Sequence, residues 1–306
     1  MKKRIIILFL MLAFGPALFA CDICGCGVGS YYIGILPEFR KKIIGLRYRY
    51  NTLKTHIGAN GQTSYLTTDE AFHTAELWGG WTIGKRFRVM GYVPFNYNTK
   101  KNQGNKDEKS GLGDIGVQGF YQLLDKRRTI GSKMLVQSLW IGGGVKLPTG
   151  KYETPDKAPA APSANLFQLG TGSVDFTLNA MYDIRLQDAG INTAASYKFN
   201  TSNRDDYQYG NKMSVSAQAY YKFRILNSFT LAPNAGILYE SAEKDLDEGF
   251  KADVSGGNVL MGIAGLEASF SKFAIGASFR RPLSQDLANG FVKTNNRAMV
   301  HISFML

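Results

Sequence analysis

Along most of this chain, apolar and polar residues alternate one by one. Residues 174–185 read VDFTLNAMYDIR: Val174, Phe176, Leu178, Ala180, Tyr182 and Ile184 share one face, and Asp175, Thr177, Asn179, Asp183 and Arg185 share the other. Met181 is the exception, an apolar residue on the polar face. Residues 191–200, 213–224 and 298–306 repeat the pattern. A period of two marks a strand, whose successive side chains point to opposite faces. No stretch carries the period of roughly 3.6 residues that a long amphipathic helix requires.

The alternation predicts about twelve strands, over 40–53, 70–84, 86–97, 111–124, 133–147, 168–185, 189–200, 211–224, 228–241, 257–270, 272–282 and 295–306. Their connections alternate in length. Those at 54–69, 98–110, 148–167, 201–210, 242–256 and 283–294 are long, polar and rich in Asn, Asp, Lys and Gly. Those at Lys85, Leu186–Asp188, Ile225–Asn227 and Ser271 are tight, and 125–132 is the longest of the short set. The pattern predicts an all-β fold, a transmembrane antiparallel β-barrel of about 12 strands with short periplasmic turns and long extracellular loops. A soluble barrel or sandwich shares the alternation but turns its apolar side inward. Aromatic residues near strand ends (Tyr48, Tyr50, Phe95, Tyr97, Phe199, Phe223, Phe229 and Tyr239) are candidates for the interfacial girdles of such a barrel.

Residues 1–20, MKKRIIILFLMLAFGPALFA, favour the membrane form. A basic head, a short apolar run and a small residue at Ala20 have the layout of a secretory signal. The run is about 10 residues long, and a bilayer span needs roughly 20. The expected organisation is a signal peptide at 1–20, a Cys-containing N-terminal segment at 21–39 (periplasmic, or a plug in the lumen) and an outer-membrane barrel at 40–306. The expected location is the outer membrane of a Gram-negative bacterium. Net charge is +12, of which Lys2, Lys3 and Arg4 belong to the signal. An exported basic chain meets an anionic membrane surface rather than nucleic acid, so the expected partners are outer-membrane lipid and a small-molecule solute.

All three cysteines lie in the stretch CDICGCG, as Cys21, Cys24 and Cys26. Four readings stay open. Cys21 is a lipidation candidate, because LFAC resembles a bacterial lipoprotein signal. A Cys21–Cys24 disulfide suits an oxidising compartment. Three closely spaced thiolates suit a soft metal, Cu(I) or Zn(II). A redox or docking role is the fourth. The barrel itself requires no cofactor.

Three motifs resemble a known family. GLGDIGVQGFYQLL at 111–124, GGGVKLPTGKYE at 142–153 and LGTGSVDFTLNAMY at 169–182 are similar to the meta-pathway phenol-degradation family of outer-membrane β-barrel transporters. The resemblance implies a transport barrel related in style to fatty-acid and hydrocarbon channels, which have about 14 strands, the alternative strand number here.

With the apolar face toward lipid, the polar face lines the interior or its rims. It carries Arg47, Arg49, Arg86, Arg88, Asp114, Lys146, Asp175, Asp183, Arg185, Lys198, Lys222, Arg224, Glu267, Arg280 and His301. Trp78 and Trp140 fall on the same face, as packing residues or as a contact for a hydrophobic solute. His56, His73 and His301 have no Ser or Cys pattern that suggests a triad, so no enzyme is expected. The function expected is transport of a small hydrophobic or amphipathic solute through the outer membrane. The alternative is a metal-linked (copper or zinc) accessory or structural protein that uses the Cys cluster.

Overall fold

The computed structural model describes residues 42–58, 61–154, 167–225 and 229–306. The strands are β1 Ile43–Thr55, β2 Thr68–Ile83, β3 Phe87–Asn102, β4 Asn105–Leu112 continuing after 113–115 as Gly116–Ile130, and β5 Lys133–Lys146. There follow β6 Asp175–Leu186, β7 Ala189–Phe199, β8 Lys212–Tyr221 resuming as Phe223–Ile225, and β9 Phe229–Ala242. The last three are β10 Gly257–Phe270, β11 Phe273–Leu287 and β12 Arg297–Met305. Each strand pairs antiparallel with its sequence neighbour, and β12 returns to β1 in register from Ile43↔Met305 to Tyr50↔Ala298. The result is a closed barrel of 12 strands. Closure leaves no unpaired strand edge along the wall.

Burial follows the period-two pattern, with the apolar face outside. On β1, Ile44, Leu46 and Tyr48 are exposed, while Ile43, Gly45 and Arg47 are buried. Val174, Phe176 and Leu178, read as one face of a strand, are likewise exposed. A soluble barrel would show the reverse. Aromatics mark both ends of the outer surface. Tyr48, Phe95, Tyr97, Phe199 and Tyr239 lie toward the long loops, and Phe223, Phe87, Phe270 and Phe273 lie beside the short turns.

Four boundaries differ from expectation, one of them at β11, which runs to Leu287 into the connection expected at 283–294. The segment 98–110 is a hairpin, not a loop: β3 and the first part of β4 pair down to Asn102↔Asn105 around Gln103 and Gly104. Both turn residues have positive φ, 47° and 87°, as a two-residue hairpin turn requires. This hairpin is polar on both faces, so it gives no alternation to read. The connection expected at 125–132 is tight, because β4 runs on to Ile130. Residues 168–174, expected to start a strand, are not strand; β6 begins at Asp175. Gln168, Leu169, Thr171 and Ser173 are instead buried.

At the long-loop end a small sheet of Tyr207–Gln208, Leu246–Asp247 and Phe250–Lys251 joins two connections. Lys293–Thr294 pairs with β1 through Leu53↔Thr294. Among the described residues, the connections after β3, β7, β9 and β11 therefore carry backbone pairing of their own.

Candidate functional site

The inward positions of a strand are fixed by alternation, so side chains from distant strands meet in the bore. They form three groups.

The first group closes on the connection between β5 and β6. Lys146 Nζ lies 2.6 Å from Asp114 Oδ2 and 2.8 Å from Asp175 Oδ2, and Lys198 Nζ lies 3.0 Å from the same Asp175 oxygen. Two lysines and two aspartates make a neutral, buried quartet. Isolated charges so deeply buried would be costly, and mutual pairing with further hydrogen bonds offsets that cost. Those bonds come from the connection itself. The backbone N–H of Thr171 and of Gly150 donate to Asp114 at 2.9 and 3.0 Å, and the Ser173 hydroxyl donates to Asp175 at 2.8 Å. The Thr171 hydroxyl also contacts Lys146 Nζ. Asn96 and Asn98 of β3 donate to the carbonyls of Leu169 and Gln168. The quartet thus pins residues 167–174 inward.

The second group lies on the other side of the bore. Glu76 of β2 accepts from Arg47 and Arg49 of β1, each at 3.1 Å. Glu240 of β9 pairs with Arg297 of β12 at 2.6 Å. Arg280 of β11 is the cross-strand partner of Arg297. Toward the short turns, His301 and Glu267 are buried next to Gly276, where a Cβ would meet His301 Cε1 at 2.3 Å.

The third group is apolar. Ile43, Trp78, Met90, Tyr92, Phe120, Trp140 and Met305 form one buried cluster, with Met181 packed against it. The Arg47 guanidinium lies 5.5 Å from the Trp78 ring centroid, so the second and third groups touch. Gly45 makes room for the indole: a Cβ there would lie 2.8 Å from Trp78 Nε1.

The remaining candidates lie toward the short turns, Arg88 as the register partner of Phe120. Arg88 is fully buried over Gly80, where a Cβ would come within 2.4 Å of its Nη2. The Tyr220 hydroxyl donates to Asp183, with Lys222 Nζ 5.4 Å from the same ring. Arg185 is half-buried on β6 near these residues. Arg86 and Arg224 are exposed at the short-turn rim, where Arg224 pairs with Asp188 at 2.8 Å. Cys21, Cys24 and Cys26 lie outside the described residues, as do the expected signal and N-terminal segment.

Sequence reading missed Glu76, Glu240 and Arg297, and also Met90, Tyr92 and Phe120. The charged three were visible as inward positions by counting in twos. The apolar three were visible as exceptions to the alternation, as Met181 was.

Above the bore, at the long-loop end, Tyr152, Tyr207 and Tyr209 are buried together. The Tyr207 hydroxyl and the Gly210 N–H each donate to Asp245 at 2.6 Å. Burial pushes the Asp245 carboxyl up to about 6, against those two bonds, which lower it. At the surface, hydrogen bonds from Lys109 and Lys151 hold Glu153 down to about 2.

A family model described as "Putative MetA-pathway of phenol degradation" matches residues 50–295. No curated protein matches the chain by sequence. Among solved structures, the chain is similar to an outer-membrane channel from Pseudomonas putida F1, with TM-score 0.64 and 14% identity over 93% of this chain and 100% of that one. It is also similar to the beta domain of the Bordetella autotransporter Brka, with TM-score 0.52 and 11% identity over 87% of this chain and 100% of that one. At these identities the likeness concerns the fold.

Proposed function

The chain belongs to the phenol-degradation MetA-pathway family, and from that premise we propose that this outer-membrane barrel passes a small hydrophobic or amphipathic solute through its lumen. The observation that supports this reading is the aromatic group of Trp78, Phe120 and Trp140 inside the bore, on a face that also carries the charged groups described above. A 12-stranded barrel lies between the eight-stranded ones that side chains fill and the larger ones that leave an aqueous channel, and polar residues alone would suffice to narrow it. Indole and phenyl rings offer a passing solute a low-energy surface, as ligand sites commonly do. The charged quartet holds the β5–β6 connection inward and so narrows the entrance above that surface.

The test is uptake of radiolabelled benzyl alcohol by intact cells with and without the chain in their outer membrane. The expected result is faster uptake with it. Equal rates would refute the proposal.

A further inference from the structure

The outer wall carries a groove as well as a girdle. Gly79 of β2 and Gly91 of β3 are register partners on the lipid-facing side, with Ile44 of β1 and Val117 of β4 at the ends of the same row. Neither glycine has a side chain, so the wall there is bare backbone and the neighbouring rows stand above it. Leu77 pairs with Val93 toward the long loops, and Trp81 with Val89 toward the short turns. These side chains line one apolar depression. The Trp81 ring leans over Gly79, where a Cβ would lie 3.2 Å from its Cζ3. A Cβ on Gly91 would meet only the Gly116 carbonyl, at 3.9 Å, so the depression is open there.

Depth and charge restrict the occupant. Gly79 stands five residues before Gly84 of the short turn. At roughly 3.4 Å per residue and a tilt of about 40°, that is roughly 13 Å of height, against about 15 Å for half of the hydrocarbon core. The groove therefore runs from near the bilayer midplane to the short-turn surface, the reach of one acyl chain of the periplasmic leaflet. That surface is basic. Lys85 is exposed in the turn between β2 and β3, and Lys42 is exposed just before β1, on the face opposite to buried Ile43. Lys126 is exposed where β4 runs past that turn, paired with Gln137, whose amide reaches the outward Tyr182. Asp125 falls on the other face of β4, opposite Ser138. A second copy of the chain docked by its own groove would set lysines against lysines. A zwitterionic headgroup would bring a cation of its own to them, so a lipid of net negative charge fits best. We propose that the groove seats a phospholipid with an anionic headgroup. One acyl chain lies over Gly79 and Gly91 beside Trp81, and the phosphate meets Lys85, with Lys42 and Lys126 flanking it.

Trp81 is 47% exposed, whereas Trp78 and Trp140 are 2% and 3% exposed, so a quencher in the lipid reports first on Trp81. The test reconstitutes the full chain in phosphatidylcholine vesicles that contain a minor fraction of phosphatidylglycerol or of phosphatidylcholine brominated in mid-chain. At equal fraction, brominated phosphatidylglycerol is expected to quench tryptophan fluorescence at least about twofold more than brominated phosphatidylcholine. The double variant Lys85→Gln/Lys126→Gln should bring the two lipids to equality. Gly91→Leu fills the groove from the lipid side and should remove the excess while general quenching by phosphatidylcholine persists. Equal quenching by both lipids in the wild-type chain would overturn the proposal, as would an undiminished excess in a folded Gly91→Leu chain. Shielding of Trp81 from both lipids, with a dimer in native mass spectrometry, would give the groove to a second copy and overturn it too. Heat-dependent gel mobility checks folding, and the wild-type comparison needs no variant.

Discussion

Gly150 and Gly170 pass each other with no side chain between them: a Cβ on Gly170 would lie 2.8 Å from the Gly150 Cα and 2.4 Å from Asp114 Oδ1. The two residues lie on opposite arms of the connection between β5 and β6, and their approach lets both arms reach the same aspartate. Gly170→Ala is expected to force the arms apart and to cost roughly 1–3 kcal/mol, as overpacking does. Limited proteolysis in the membrane-bound state would show it as faster cleavage between 150 and 170. Unchanged cleavage would mean that the arms adjust without separating.

Lys146 serves two carboxylates at once. Lys146→Met is expected to leave Asp114 and Asp175 short of a counter-charge and to destabilise the barrel by about 3–5 kcal/mol. The double variant Lys146→Met/Asp114→Asn restores neutrality, since Lys198 still pairs with Asp175 at 3.0 Å. It should recover part of the loss, a coupling that a double-mutant cycle in urea unfolding would measure. Purely additive effects would contradict the quartet as a unit.

Asp245 predicts an acid-favoured lid. Its carboxyl, pushed up to about 6 by burial, above the usual aspartate value of ~4, keeps its proton in the docked loops over a range where the undocked loops have lost it. Docking therefore strengthens as pH falls from about 6 to about 4 and weakens as pH rises through that window, by at most on the order of 3 kcal/mol. Protease resistance of the 200–211 connection, measured at pH 4.5 and 7, should be higher at the lower pH. Asp245→Asn should flatten that dependence; a steep profile in the variant would assign it to another group.

Trp140 is expected to act both as an obstruction and as a surface. Trp140→Ala removes a buried indole from the bore. Single-channel conductance of small ions should rise, while uptake of benzyl alcohol should fall. If both rise together, the ring merely narrows the passage.

Much of the fold was legible because the membrane enforces strict alternation. Each outward position must be apolar, and each pair of strands must return through a turn. The legible part ends where that constraint ends. The 98–110 hairpin is polar on both faces and left no signal. Residues 168–174 kept enough alternation to look like strand, although their polar atoms are spent on Asp114 and on the side chains of Asn96 and Asn98. The inward direction of Arg280 and Lys146 followed from counting in twos, but their partners did not. Asp114 is 32 residues from Lys146, and Glu240 is 57 from Arg297. Pairing of β4 with β5 in register from Gly116↔Lys146 sets the first approach, and the curvature of the wall from β9 to β12 sets the second. The aromatic group had a local signature in Trp78, Trp140 and the misplaced Met181, and Phe120 carried the same one.

The quartet ties the neighbouring strands β5, β6 and β7, whereas the pair Glu240–Arg297 reaches from β9 to β12 past the two strands between them. That pair is a chord of the ring rather than a stitch along it. A chord resists flattening more than a tie between neighbours does, so this arc of the wall would keep its curvature under lateral pressure from the bilayer while the rest of the circumference yields.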